Sequence, residues 1–207
     1  RPIAQGTSTY RAEWGITTPH VALYSGNIAN KQGIEIVLEA ARKLKDRKDL
    51  TFVVCGEGPN RANLIEQAQG LDNIQFHDLQ PKERLTDLLG LASVHLLPQL
   101  AGAADLVLPS KMTNMLASGR PIAATALPGS GIAMEVDQSG LVTPPNDVDA
   151  FAQGIVTIID NPEQAASMGQ SARQRAENHW AGDAILGRLG TELQNLASSA
   201  GEYVAQR

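Results

Sequence analysis

The sequence predicts a doubly wound α/β domain built on a parallel sheet. Three observations predict it. Short apolar runs recur as continuous blocks instead of alternating with polar residues. Amphipathic segments of helical period separate them, and loops rich in glycine, proline and asparagine follow several of the apolar runs. A strand apolar on both sides has to be covered on both faces, and helices that cross between parallel strands supply that cover.

The elements follow in order. His20 to Ser25 reads as a strand ending at Gly26, and Gly33 to Arg47 as a helix with Ile34, Val37, Leu38, Ala41 and Leu44 on one stripe. Leu50 to Cys55 is the next strand, Asn60 to Gln69 a helix, Asn73 to His77 a strand, Pro81 to Leu91 a helix and Ser93 to Leu97 a strand. A long stretch from Gln99 to Lys111 then opens into a helix starting near Ser110. Gly119 stops that helix, and Pro121 to Thr125 is a strand. After the strand Gly140 to Thr143 come three helical segments, Val148 to Ile159, Pro162 to Asn178 and Gly182 to Ala197. Residues 1–19 show no sustained period and read as a linker or lead-in, residues 20–197 as the domain, and residues 198–207 as a tail. The chain begins with Arg1, so the expectation is a piece of something longer.

Composition bounds the partners. The chain of 207 residues is 43% apolar, enough for one sizeable core. Seventeen basic residues against 22 acidic ones leave a net charge of −5, which argues against nucleic acid bound over a broad basic face but leaves room for a local phosphate pocket. The single cysteine, Cys55, lies in an apolar strand, where a thiol is less acidic. It reads as a core residue in a reducing compartment, not as a nucleophile. No apolar stretch approaches the ~20 residues of a spanning helix. His20, His77, His95 and His179 are scattered without ligand spacing, and no zinc site is expected.

In an open parallel sheet, ligands bind beyond the carboxyl ends of the strands, so the loops there are the place to look for function. Five stand out: Gly26 to Gly33, with Asn27 and Lys31; Gly56-Glu57-Gly58-Pro59; Leu79-Gln80-Pro81; Gln99 to Lys111; and Pro128-Gly129-Ser130-Gly131. Ser110 and Lys111 fall where a helix N-terminus meets solvent, a setting that favours an anion. Gly56-x-Gly58 lacks the third glycine of a dinucleotide fingerprint and does not follow the first strand. Asp147-Val148-Asp149 matches the Asp-x-Asp of metal-dependent sugar transferases. Its position after Pro144-Pro145-Asn146 and before a helix makes it a helix cap with acidic first-turn residues.

Taken as a series, these loops resemble the C-terminal, donor-binding half of GT-B glycosyltransferases of family 4, in particular an exopolysaccharide branch that includes colanic acid transferases. The residues that carry the resemblance are Tyr24 to Ile28 with Gln32-Gly33, Val54 to Pro59, Leu108 to Lys111, Ala117 to Pro121, Gly140 to Val142, Pro144 to Asp147, and Trp180. The resemblance implies one of two Rossmann-like halves facing each other across a cleft. Here the diphosphate of a nucleoside-diphosphate sugar would lie against the amides of Ser110, Lys111 and Met112. Gly26, Asn27 and Lys31 would face it, the base would pack near Glu57, Gly58, Leu79 and Gln80, and Asn114 would reach the ribose. The acceptor, a glycan or a lipid-linked sugar, would bind mainly to a missing N-terminal domain, so this chain alone should not turn over. A cytoplasmic location is implied, with peripheral association of the longer protein at the inner membrane face left open. Neither cofactor nor metal is needed, because helix dipole and lysine take up the charge of the leaving diphosphate.

The chain departs from the wider family at two places. The Glu-x7-Glu pair falls on Leu106 and Asn114, and Asn27 and Gln32 stand where an arginine and a lysine are usual. The reaction implied is sugar transfer with retention at the anomeric carbon. The alternatives are a nucleotide-sugar epimerase of the same fold and a non-catalytic Rossmann-like binding module, which the missing carboxylates favour and the retained glycine loops oppose.

Overall fold

A computed structural model describes residues 2–4, 6–29, 33–100 and 110–180. Its centre is a six-stranded, wholly parallel sheet in the order β3-β2-β1-β4-β5-β6. The strands are β1 (His20–Ser25), β2 (Leu50–Cys55), β3 (Ile74–His77), β4 (Val94–Leu97), β5 (Ile122–Thr125) and β6 (Gly140–Thr143). The helices are α1 (Tyr10–Glu13), α2 (Glu35–Lys43), α3 (Arg61–Gln67), α4 (Leu85–Gly90), α5 (Ser110–Ala117), α6 (Gly131–Val136), α7 (Val148–Asp160) and α8 (Pro162–Arg175). The doubly wound α/β architecture expected from the sequence is the one found.

Both faces of the sheet are buried, which is why the strands read as unbroken apolar runs. Ala22 and Tyr24 of β1 and Phe52 and Val54 of β2 join α2, α3 and α7 in one core. Their neighbours Val21, Leu23, Val53 and Cys55 face the other way, into a cluster with Tyr10, Ile16, Leu88 and Leu91. Further along that second face, Met112, Met115 and Leu116 of α5 pack with Ile132 and Val136 of α6 and with Ile122 and Ala124 of β5.

Several elements differ from the sequence reading, each for a local reason. The stretch 1–19, expected as a linker or lead-in without period, contains α1, whose Tyr10 is fully buried against the sheet. Four residues make barely one turn, too little to display a 3.6-residue period. The helix expected from Pro81 to Leu91 starts as a 3-10 turn, Lys82–Arg84. There Arg84 is drawn to Glu13 of α1 (2.6 Å) and lies 3.9 Å from the centroid of the Tyr10 ring. The expected helix Gly33 to Arg47 closes at Lys43. Arg47 instead bonds Asp49 (2.8 Å) and Asp160 (2.7 Å), turning the chain into β2. α6 begins inside the loop read as Pro128 to Gly131, with Ser130 as cap accepting from the Ala133 amide at 3.2 Å. The segment expected as a helix over Gly182 to Ala197 and the tail after it lie outside the described residues.

Candidate nucleotide-sugar site

The strand order places the site. From β1 the chain winds outward through α2, β2, α3 and β3, then returns across the sheet to β4, on the other side of β1. The strand order thus reverses between β1 and β4, and the carboxyl edge at such a reversal is the usual place for a ligand in an open α/β sheet. Gly26 follows β1, and α5 follows β4. The two meet: a Cβ added at Gly26 would lie 3.4 Å from Cδ and 3.8 Å from Nζ of Lys111.

Lys111 is held there before any anion arrives. Its Nζ donates to the Tyr24 hydroxyl at 3.4 Å and sits 4.7 Å from the centroid of the Tyr24 ring. Tyr24 is itself fully buried at the end of β1 and donates to the Asn27 carbonyl at 2.6 Å. Burial among apolar neighbours pushes the Lys111 ammonium down to about 8 and pushes the Tyr24 phenol up. The helix gives the first-turn amides of Ser110, Lys111 and Met112 no acceptor of its own, and they carry the positive end of its dipole. Met112 turns its side chain wholly into the core, so only its amide can serve a ligand. A desolvated ammonium at a helix N-terminus is an arrangement that favours an anion.

The loops after β1 and β2 form one unit. Gly26 donates to the Cys55 carbonyl (3.0 Å), Ile28 to the Glu57 carbonyl (2.8 Å), and Asn60 to the Ile28 carbonyl (3.1 Å). A Cβ on Gly56 would fall 1.9 Å from the Gly26 carbonyl oxygen, and one on Gly58 2.2 Å from that of Ile28. Both glycines also have positive φ, 152° and 157°. What approaches these glycines so closely is the chain's own neighbouring loop. Glu57 and Asn27 are left exposed on the paired loops.

The loop after β3 is tied from three sides. Gly56 donates to the His77 carbonyl at 3.0 Å. The Asp78 carbonyl accepts from Cys55 Sγ (3.2 Å) and from Gln80 Nε2 (2.8 Å), and Gln80 Oε1 accepts from the Tyr10 hydroxyl at 3.0 Å. Cys55 is buried and its thiol is pushed up to about 11, which suits a core residue. Asn114 is exposed on α5, in a groove with Pro2, Ile3, Leu85 and Leu89. Lys31 and Leu106 lie outside the described residues, as does the side chain of Ser110. Asp147 caps α7, accepting from the Ala150 amide at 2.9 Å, and Asp149 pairs with Lys43. The cap reading of that Asp-x-Asp stands. Tyr24, the lysine's support, carries part of the family resemblance but is not among the site residues expected from the sequence; its signal is a hydroxyl-bearing ring next to the last residue of β1.

Residues 7–175 match the family described as glycosyl transferases group 1. The chain belongs to that family. Among curated relatives, a glycosyl transferase named for colanic acid biosynthesis, WcaI of Escherichia coli K12, is 41% identical over 149 residues, 65% of this chain and 34% of that protein. The sucrose-phosphate synthase of Thermosynechococcus elongatus superposes with a TM-score of 0.73 at 21% identity, over 95% of this chain and 50% of its own. HepE of Anabaena, solved with UDP and glucose, does so at 0.71 and 16% identity, over 91% of this chain and 52% of its own. The chain thus spans less than half of the length of curated relatives that it matches strongly, 34%, 42% and 46% of three of them. No helix among the described residues is long and apolar enough to cross a membrane.

Proposed function

We propose that this chain is the donor-binding half of a retaining glycosyltransferase. It would transfer a sugar from a nucleoside diphosphate to a glycan or lipid-linked acceptor in bacterial surface polysaccharide synthesis. The observation that carries the reading is Lys111, held against Tyr24 and Gly26 at the start of α5, at the carboxyl edge where β4 lies beside β1. The lysine and the amides of Ser110 to Met112 would take the diphosphate, with Gly26 beside the lysine stem. Asn27 and Lys31 would face it from the first loop, and Asn114 would reach the ribose. Glu57, Gly58 and the loop through Gln80 would hold the base by main-chain groups. As the glycosidic bond to the leaving phosphate breaks, negative charge grows on the diphosphate, and a preplaced ammonium and helix dipole stabilise that charge without a metal.

Two further observations support the reading. Large apolar side chains stand exposed along the carboxyl edge, Leu79 at 67%, Leu127 at 50% and Met134 at 59%, as an edge closed by a second half would require. WcaI, the relative at 41% identity, carries a name in colanic acid synthesis, and HepE was solved with UDP. In the longer protein the acceptor would lie on that second half, with peripheral attachment at the inner membrane face.

The test is calorimetric titration of the chain with UDP, GDP and ADP, followed by transfer assays. One of the three should bind, and the 207 residues alone should transfer nothing. Failure of all three to bind would leave a non-catalytic module. Transfer to an acceptor by this chain alone would overturn the half-enzyme reading.

A further inference from the structure

Gln80 is a nucleotide-contacting candidate by sequence, yet both ends of its amide are engaged inside the protein. Oε1 accepts from Tyr10 at 3.0 Å and Nε2 donates to the Asp78 carbonyl at 2.8 Å. The donor of the first bond comes from α1, in the lead-in segment, 70 positions away in sequence. Tyr10 has little freedom to move. Its ring is wholly buried, lies 4.3 Å from Trp14, and carries the Arg84 guanidinium 3.9 Å above it. Trp14 in turn stacks on His77, the last residue of β3, with centroids 3.7 Å apart and planes 9° apart. Thr9 anchors the same helix to α4, its amide donating to Asp87 at 3.1 Å. The loop from His77 to Pro81 is therefore shaped from outside by a one-turn helix that has no place at the phosphate end of the crevice.

We propose that Tyr10 is a positioning residue for nucleobase recognition. Acting through Gln80, it sets the backbone at Asp78 to Gln80 in the conformation that offers its main-chain groups to the base edge. The proposal rests on the reading that this loop meets the base of a nucleoside diphosphate. A backbone that reads a base edge by hydrogen bonds discriminates only if its amides and carbonyls are held to within a few tenths of an ångström of the productive geometry. A bond from a buried phenol to a side-chain amide that itself closes onto the loop supplies that constraint.

The test compares the parent chain with Tyr10→Phe, Gln80→Ala and the double variant. Each is titrated with UDP, GDP and ADP, with inorganic pyrophosphate as a competitor that carries no base. Tyr10→Phe keeps the ring, its tilted contact with Trp14 and its contact with Arg84, so the fold should persist. The expected result is a five- to tenfold loss for the preferred nucleotide, a narrower spread among the three, and unchanged competition by pyrophosphate. Gln80→Ala should match it, and the double variant should lose no more than either single one, because all three break the same relay. Unchanged nucleotide ranking and affinity in Tyr10→Phe would overturn the proposal alone. So would equal loss for nucleotide and pyrophosphate, which marks general loosening. A parent chain that binds none of the three nucleotides would overturn the donor-site reading and this proposal together.

Discussion

Replacing Lys111 by methionine separates two effects that the structure sets in opposition. The lysine stem packs over Tyr24 and Gly26, and methionine preserves most of that contact while deleting the charge. In the free protein the ammonium is costly, since burial lowers it from 10.5 to about 8. That difference corresponds to roughly 3 kcal/mol of destabilisation at neutral pH. A group whose proton affinity is lower in the folded state is relieved as pH rises, so stability should climb between about pH 8 and 10.5. Binding runs the other way. A diphosphate stabilises the charged form, with a charge-assisted contact worth roughly 1.5–3 kcal/mol, or about 10- to 150-fold in affinity. Affinity should therefore be highest below about pH 8 and decline above it. Lys111→Met should raise the melting temperature at pH 7, weaken nucleoside diphosphate at least tenfold, and flatten both pH profiles. The free nucleoside, which has no phosphate, should bind as before. Calorimetry and thermal melts from pH 6.5 to 9.5 read all of this. Equal weakening of nucleoside and nucleoside diphosphate, or of neither, would show that the phosphates lie elsewhere, Lys31 being the first place to look.

Other perturbations test the parts around the site. Gly56→Ala should cost roughly 2–4 kcal/mol in urea unfolding and uncouple the first two loops, because the new Cβ meets the Gly26 carbonyl oxygen at 1.9 Å; a neutral result would refute the zippered-loop account. Asp147→Ala should cost about 1 kcal/mol through loss of the bond to the Ala150 amide, whereas Asp149→Ala breaks only an exposed pair with Lys43 and should cost less. Neither change should alter nucleotide affinity with or without magnesium, and a magnesium-dependent affinity lost in Asp149→Ala would restore the metal reading. His95 is wholly buried, shares a hydrogen bond with Ser118 Oγ at 2.9 Å, and is held down by burial at about 3. The unfolded chain takes up that proton near 6.5 and the folded one does not, so stability should fall as pH drops from about 6.5 towards 3, by at most ~1.4 kcal/mol per pH unit. Melts of His95→Gln over the same range should lose that component, and parallel profiles for the two proteins would exclude it.

Local signals sufficed for most of the scaffold. Continuous apolar runs such as Leu50 to Cys55 and the stripe of α2 required strands buried on both faces and helices to cover them. Gly119 ended α5, Asp147 capped α7, and an apolar strand kept Cys55 inert. Each depends on neighbours within a few positions, which is the range over which periodicity and capping act. The loop candidates were legible for the same reason, since glycines and prolines cluster where the backbone has to turn sharply.

The assembly of the site was decided only by tertiary structure. Lys111 and Tyr24 are 87 positions apart, and they meet because β4 returns to lie beside β1, an ordering that no local period encodes. Gly56 and Gly58 are visible as glycines, but that their missing Cβ atoms make room for Gly26 and Ile28 follows from strand pairing. Tyr10 looked like part of a lead-in, because one helical turn is too short to show a pattern; only its burial beside Gln80 joins it to the crevice. The sequence by itself determined which segments are strands and helices and which loops bear the polar residues. Strand order, a property of the whole chain's burial, determined which of those loops lie side by side.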